Sequence, residues 1–181
     1  TNWSWNISSG GTTAEDYYVD GVNAVKLTRT ADASASWAYI QYQGLLRNLI
    51  EPDMEYTLSF DVYPSQNVTF TATLKQGNSA DPFTNDVVMN QSLANKWTKV
   101  FCTLTSKETL PSPSRQVVYL TGMPIAQGNY LIIKNIKLEK GNVATDYSPS
   151  EVDFEQKVAE YKQDADQNYA SLSSTVQTLD G

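Results

Sequence analysis

The sequence contains no histidine, one cysteine and no long apolar run. Without histidine there is no imidazole base, no histidine-based triad and no His-ligated zinc. The lone Cys102 sits in the alternating stretch "KVFCTLT". It has no partner for an internal disulfide, and one thiolate does not hold a structural metal. A buried core thiol is the expectation, as for most free cysteines. No stretch of 18 apolar residues exists, so no membrane-spanning helix is expected. The chain lacks an initiator Met and a signal-peptide pattern, which reads as a fragment or a processed product. Basic clusters are also missing. Phosphate neutralisation dominates nucleic-acid affinity, so an acidic chain without such clusters is a poor nucleic-acid binder.

What is present fills 181 residues, 40% of them apolar and 11% aromatic, with a formal charge of −7. The charge is uneven. From Pro149 onward seven carboxylates face Lys157 and Lys162, a local balance of −5, which leaves −2 for the preceding residues. Residues 1–148 read as β throughout. "AVKLTR", "WAYIQYQ", "YTLSFDVYP", "VTFTATLK", "KWTKVFCTLT", "RQVVYL" and "NYLIIKNIKLEK" alternate apolar and polar residues between turn signals. Tyr56, Leu58, Phe60 and Val62 share one strand face, and Thr57, Ser59, Asp61 and Tyr63 the other. Val68, Phe70, Ala72 and Leu74 point inward in the same way, with threonines outward. Seven or eight strands with no helical period between them imply antiparallel pairing in an all-β jelly-roll sandwich.

Beyond Pro149 the period changes. Ser150 and Asp153 form a weakened capping box, and acids occupy the first turn. Apolar residues recur at Phe154, Val158, Tyr161, Ala165, Tyr169, Leu172, Val176 and Leu179. Steps of four and three make a coiled-coil seam, with a stutter between Ala165 and Tyr169. So narrow a stripe does not stabilise a helix alone. Its partner is either the β-domain or copies of itself, and docked helices usually have a wider apolar face. The expected organisation is a sandwich over 1–148 and a helical stem over 149–181.

Three longer stretches carry a resemblance. "YIQYQGLLRNLIEPDMEYTLSFDVYPS", "LANKWTKVFCTLT" and "YLIIKNIKLEKGNVATDYSPSEVD" resemble, in that order, jelly-roll carbohydrate-binding modules. The closing stretch is most similar to the versions embedded in tail, baseplate and receptor-binding proteins of phages of Gram-positive bacteria. There a helical linker commonly follows. The resemblance spans about residues 15–153. It departs from the family at "EPDMEY", where Asp53 or Met54 fills a turn that usually carries Gly before the Tyr. It implies a binding module of a virion or extracellular protein, with a trimer the commoner state for such fibres. Trp97 matches the family's structural tryptophan and reads as packing.

Sugars bind by stacking on aromatic faces, with polar side chains on their hydroxyls. Trp37, Tyr39, Gln41 and Gln43 share one face of "WAYIQYQ" and make a suitable platform. If that face is the open sheet, Asp61, Tyr63, Arg115 and Tyr119 add to it. The plain alternative puts Trp37 and Tyr39 in the core, since large aromatics are more often buried. Trp3 and Trp5 either form a second platform or cover an open end of the sandwich. Glu15, Asp16, Asp20 and Glu139 raise a structural calcium, set against a solvated acidic loop; calcium needs six to eight oxygens. No cofactor is otherwise expected.

Paired carboxylates hydrolyse glycosides, but 20 acids always supply candidate pairs, so that signal is nearly empty. No G-x-S-x-G or phosphate loop is present. Sequon matches at Asn6, Asn67 and Asn90 are unsurprising by chance. The expected function is non-catalytic binding of a host-surface saccharide by a phage tail or baseplate module, with polysaccharide and further copies of the chain as partners. A purely structural spacer and an accessory module of a cell-wall hydrolase stand as alternatives.

Overall fold

The computed structural model describes residues 3–6, 11–33, 38–42, 50–76, 82–111, 116–148 and 151–180. The chain divides into two compact units, 2–145 and 146–181. The first holds ten strands: β1 (Trp3–Asn6), β2 (Thr12–Val19), β3 (Val22–Arg29), β4 (Ala38–Tyr42), β5 (Glu55–Pro64), β6 (Thr71–Gln76), β7 (Val87–Val88), β8 (Thr98–Thr105), β9 (Gln116–Thr121) and β10 (Tyr130–Lys140). All pair antiparallel in two sheets, ordered β1-β4-β9-β6-β7 and β2-β3-β10-β5-β8. The sequence reading holds for the sandwich, including the strand-like stretch "NWSWN" as β1, with β2 and β7 added. The pair β2–β3 turns at Asp20–Gly21, both with positive φ (52° and 77°), as a two-residue hairpin turn demands.

The core lies between the sheets. Leu58, Phe60 and Val62 of β5 meet Val100, Cys102 and Leu104 of β8, Leu131 and Ile133 of β10, and Ala72, Leu74, Val118 and Leu120 from the facing sheet. Phe60 and Phe70 join the layers edge to face, with centroids 5.5 Å apart. Cys102 is buried as expected, and burial pushes its thiol up to about 11, so it stays protonated and inert at neutral pH. Arg29 is buried at the end of β3, where its Nε donates to the Pro124 carbonyl (2.5 Å) and Nη1 to Thr12 Oγ1. Burial lowers its pKa.

The outward residues of β5 fare differently from the simple alternation. Thr57 and Ser59 are buried although they face away from the core. The chain doubles back over them after β10. Gly141 donates to the Glu55 carbonyl (2.8 Å) and accepts from Thr57 Oγ1 (2.8 Å). Further along, Thr145 is gripped by Lys99, Lys137 and Glu139. Burial alone would raise the Glu139 pKa. The Thr145 hydrogen bonds and the Lys137 charge outweigh it and hold the carboxyl below its usual range.

The free edge of β8 is closed by one side chain. The Asn90 carboxamide donates to the Lys99 carbonyl (3.0 Å) and accepts from Phe101 N–H (2.8 Å), which are the groups a further strand would use. Asn90 is therefore an edge cap, and Ser92 of the same sequon is buried.

The second unit contains α1 (Glu151–Asp180), a 30-residue helix. Its start agrees with the capping signal. Among the described residues no helix is long and apolar enough to cross a membrane.

Candidate functional site

The sheet β1-β4-β9-β6-β7 has one face in the core and one turned away. Val118, Leu120, Ala72 and Leu74 occupy the core side. Register then fixes the other side, because directly paired residues of antiparallel strands share a face. One row crosses the sheet: Asn6 pairs with Tyr39, Tyr39 with Tyr119, and Tyr119 with Thr73. Thr73 Oγ1 extends it by donating to Asp86 Oδ1 beside β7. The next row runs Ser4, Gln41, Val117 and Lys75.

The two rows place these positions together in a strip across the strands. Val117 and Thr73 are buried and make its floor, while Tyr119 and Lys75 are partly exposed. Lys75 Nζ lies 4.0 Å from the centroid of the Tyr119 ring, well within cation–π range. Burial, then the nearby Asp86 carboxylate, raises the Tyr119 pKa, so the phenol keeps its donor hydrogen at neutral pH. Strands lie about 4.8 Å apart, so a row crossing four of them suits a chain of several linked rings rather than a single small molecule.

Of the residues expected from sequence, the structure brings positions 39, 41 and 119 to this one face. Trp37, Gln43 and Arg115 lie outside the described residues. Asp61 and Tyr63 do not join the strip. They stand on the outer face of the other sheet, because β5 pairs with β10 and β8. There Asp61 accepts from Asn135 Nδ2 (2.8 Å) at the bulge of β10, where Asn135 takes a left-handed φ of 56°. Tyr63 packs on Trp97 with centroids 5.6 Å apart, and Lys134 covers the Trp97 ring at 4.3 Å. Trp97 is therefore in contact with Tyr63 and Lys134 at the surface, 37% exposed, rather than packed into the core. Positions 3 and 5 fall in register with Tyr42 and Ile40, the row that continues to Val118 on the core side. That placement favours covering the sandwich over a second platform.

The four carboxylates considered for calcium do not converge as expected. Glu15 faces Lys26 (3.9 Å), Asp20 faces Lys134 (2.7 Å), and Glu139 faces Lys137 (3.4 Å) and Thr145. Three of the four carboxylates thus have a lysine within 4 Å. Among the described residues no group of three metal-ligating side chains exists.

Lys75, Thr73 and Asp86 were not singled out from sequence. The alternation of "TATLK" does place Thr71, Thr73 and Lys75 outward together. Which sheet β6 joined, and so which strand it would lie beside, was not readable.

Residues 1–125 match the profile of the family described as "Carbohydrate binding domain". The chain belongs to this carbohydrate-binding domain family. No curated protein matches it in sequence. Among solved structures it is similar to one described as "CBM4 structure and function", with a TM-score of 0.54 and 12% identity, covering 77% of this chain and 86% of that one. It is also similar to the CBM22-2 xylan-binding domain of Paenibacillus barcinonensis Xyn10C (TM-score 0.52, 8% identity, 77% and 92% covered). A third is the tripod of the bacteriophage Tuc2009 baseplate (TM-score 0.50, 19% identity), of which the match covers 75% of this chain and 52% of that chain. At these identities the likeness is one of fold. Carbohydrate binding rests on the family.

Proposed function

We propose that the sandwich is a non-catalytic module that binds an extended saccharide across the β4–β9–β6 strip, and that the helix gathers several copies in a phage tail or baseplate protein acting at the host surface. The observation that carries the binding reading is the pairing of positions 39 and 119 on the sheet face turned away from the core, in a member of a carbohydrate-binding domain family. The likeness to a baseplate tripod supports the phage setting. The exposed stripe of α1 supports association between copies.

Binding to glycan arrays and host cell walls tests the site. Covering about 60 Å² of the Tyr119 ring at ~25 cal/mol/Å² gives about 1.5 kcal/mol, roughly ten-fold in affinity. Tyr119→Ala is expected to lose that factor. Tyr63→Ala, on the other sheet, is expected to keep wild-type affinity while losing stability from its Trp97 contact. The intact protein binding no glycan and no cell wall would return the module to a spacer.

A further inference from the structure

Four lysines of the described sandwich stand beside a carboxylate. Lys26, Lys134, Lys137 and Lys140 each have a carboxylate within 4 Å, namely Glu15, Asp20, Glu139 and Glu51. All four belong to the sheet that does not carry the strip. Lys75 is different. It stands in the strip, partly buried, with its ammonium over the Tyr119 ring and no carboxylate within salt-bridge distance among the described residues. An ammonium has three N–H donors, and a ring face satisfies none of them as an oxygen does. Among the described residues, then, no oxygen takes the donors of this cation, which sits beside the aromatic side chain on which a sugar would stack. The negative charge at this end of the face is Asp86, which is exposed and accepts from Thr73. Asp86 also acts on Tyr119, so the strip carries charges of both signs, of which the Lys75 ammonium is the less exposed.

We propose that Lys75 is a specificity-determining residue of the saccharide strip and selects chains bearing an anionic substituent, a carboxylate or a phosphodiester. The inference rests on the saccharide reading above and narrows it. A ring stacked beside Tyr119 brings its substituents within reach of Nζ. An anionic oxygen then takes the donors the aromatic face leaves unused, in a charge-assisted hydrogen bond. A neutral hydroxyl in the same place makes a weaker hydrogen bond.

The test uses the full chain on an array in which each acidic glycan is paired with its neutral counterpart. Uronate and phosphodiester arms are kept separate, so that the source of the negative charge is read directly. Wild type is expected to prefer acidic members by about ten-fold, and to lose most of that preference as salt rises from about 0.05 to about 0.5 M. Lys75→Met keeps the stem of the side chain and is expected to abolish the preference. Lys75→Arg keeps the charge and is expected to retain it. Thermal unfolding of each variant reports folding, and the wild-type salt titration decides the matter if Lys75→Met does not fold. Equal binding of both members of a pair, binding of neutral members alone, or a preference that survives in Lys75→Met would overturn the proposal while the saccharide reading stands. Binding to no glycan of either kind would remove both.

Discussion

Deleting residues 146–181 is expected to leave the affinity for a short soluble saccharide unchanged, yet to weaken retention on a polysaccharide-coated surface by about 100-fold or more. The reason lies in the helix. Val158, Tyr161, Tyr169, Leu172 and Leu179 are each at least half exposed, and Val176 is nearly so at 49%. One 30-residue helix with so narrow an apolar stripe has little to hold it in water. Copies that pack their stripes together bury it, and the sandwiches they carry then meet a surface jointly. A second contact made by an already bound assembly is intramolecular, so weak single sites combine into strong retention. The stem's net charge of −5 repels its neighbours, so moderate salt is expected to favour association. Sedimentation of the full and shortened chains, alongside surface retention, measures both halves of the claim. Leu172→Lys with Val176→Lys should reproduce the deletion in the full-length chain. A full chain that is monomeric at high concentration and held no better than the shortened one would defeat it.

The parts of the fold that were legible are those in which one strand face is buried and the other is not. On β5, Tyr56, Leu58, Phe60 and Val62 repeat at the period of a strand and all are buried. The inward set Val68, Phe70, Ala72 and Leu74 is likewise buried. Strand β2 was missed because most of "TTAEDYYV" is exposed on both faces, so no alternation exists to read. Its signal was the Asp20–Gly21 turn leading into β3. Alternation reports which side of its own sheet a residue faces, and says nothing of which sheet that is. Asp61, Tyr63 and Tyr119 all alternate outward, but pairing sends the first two to one layer and the third to the other. The candidate site was therefore half readable. Its strand-4 members and Tyr119 came from local pattern, whereas Lys75, Thr73 and Asp86 needed the β9–β6 pairing, a contact across more than 40 residues of sequence.

Among the described glycines of the sandwich, Gly122→Ala is expected to be the most damaging, at about 3 kcal/mol of stability. Gly122 follows β9 directly and has a φ of 91°. A Cβ there would come within 2.1 Å of the Thr69 carbonyl oxygen and 3.1 Å of its carbon. The obstacle is backbone, so no rotamer change relieves it. Either β9 or the segment entering β6 must shift, and that segment carries Phe70, which packs on Phe60 at the centre of the core. Gly21→Ala separates this clash from backbone strain alone. Gly21 also has a positive φ (77°), but its added Cβ meets nothing within 4 Å. That variant should lose only about 1 kcal/mol. For a domain of this size 3 kcal/mol corresponds to a fall in Tm of about 6–12 °C, against about 2–4 °C for Gly21→Ala. Equal shifts in the two proteins would show that the close approach of Thr69 is not what requires glycine. Because Tyr119 lies three residues before Gly122 on the same strand, a displaced β9 is also expected to weaken saccharide binding below the unfolding transition, where Gly21→Ala should leave it intact.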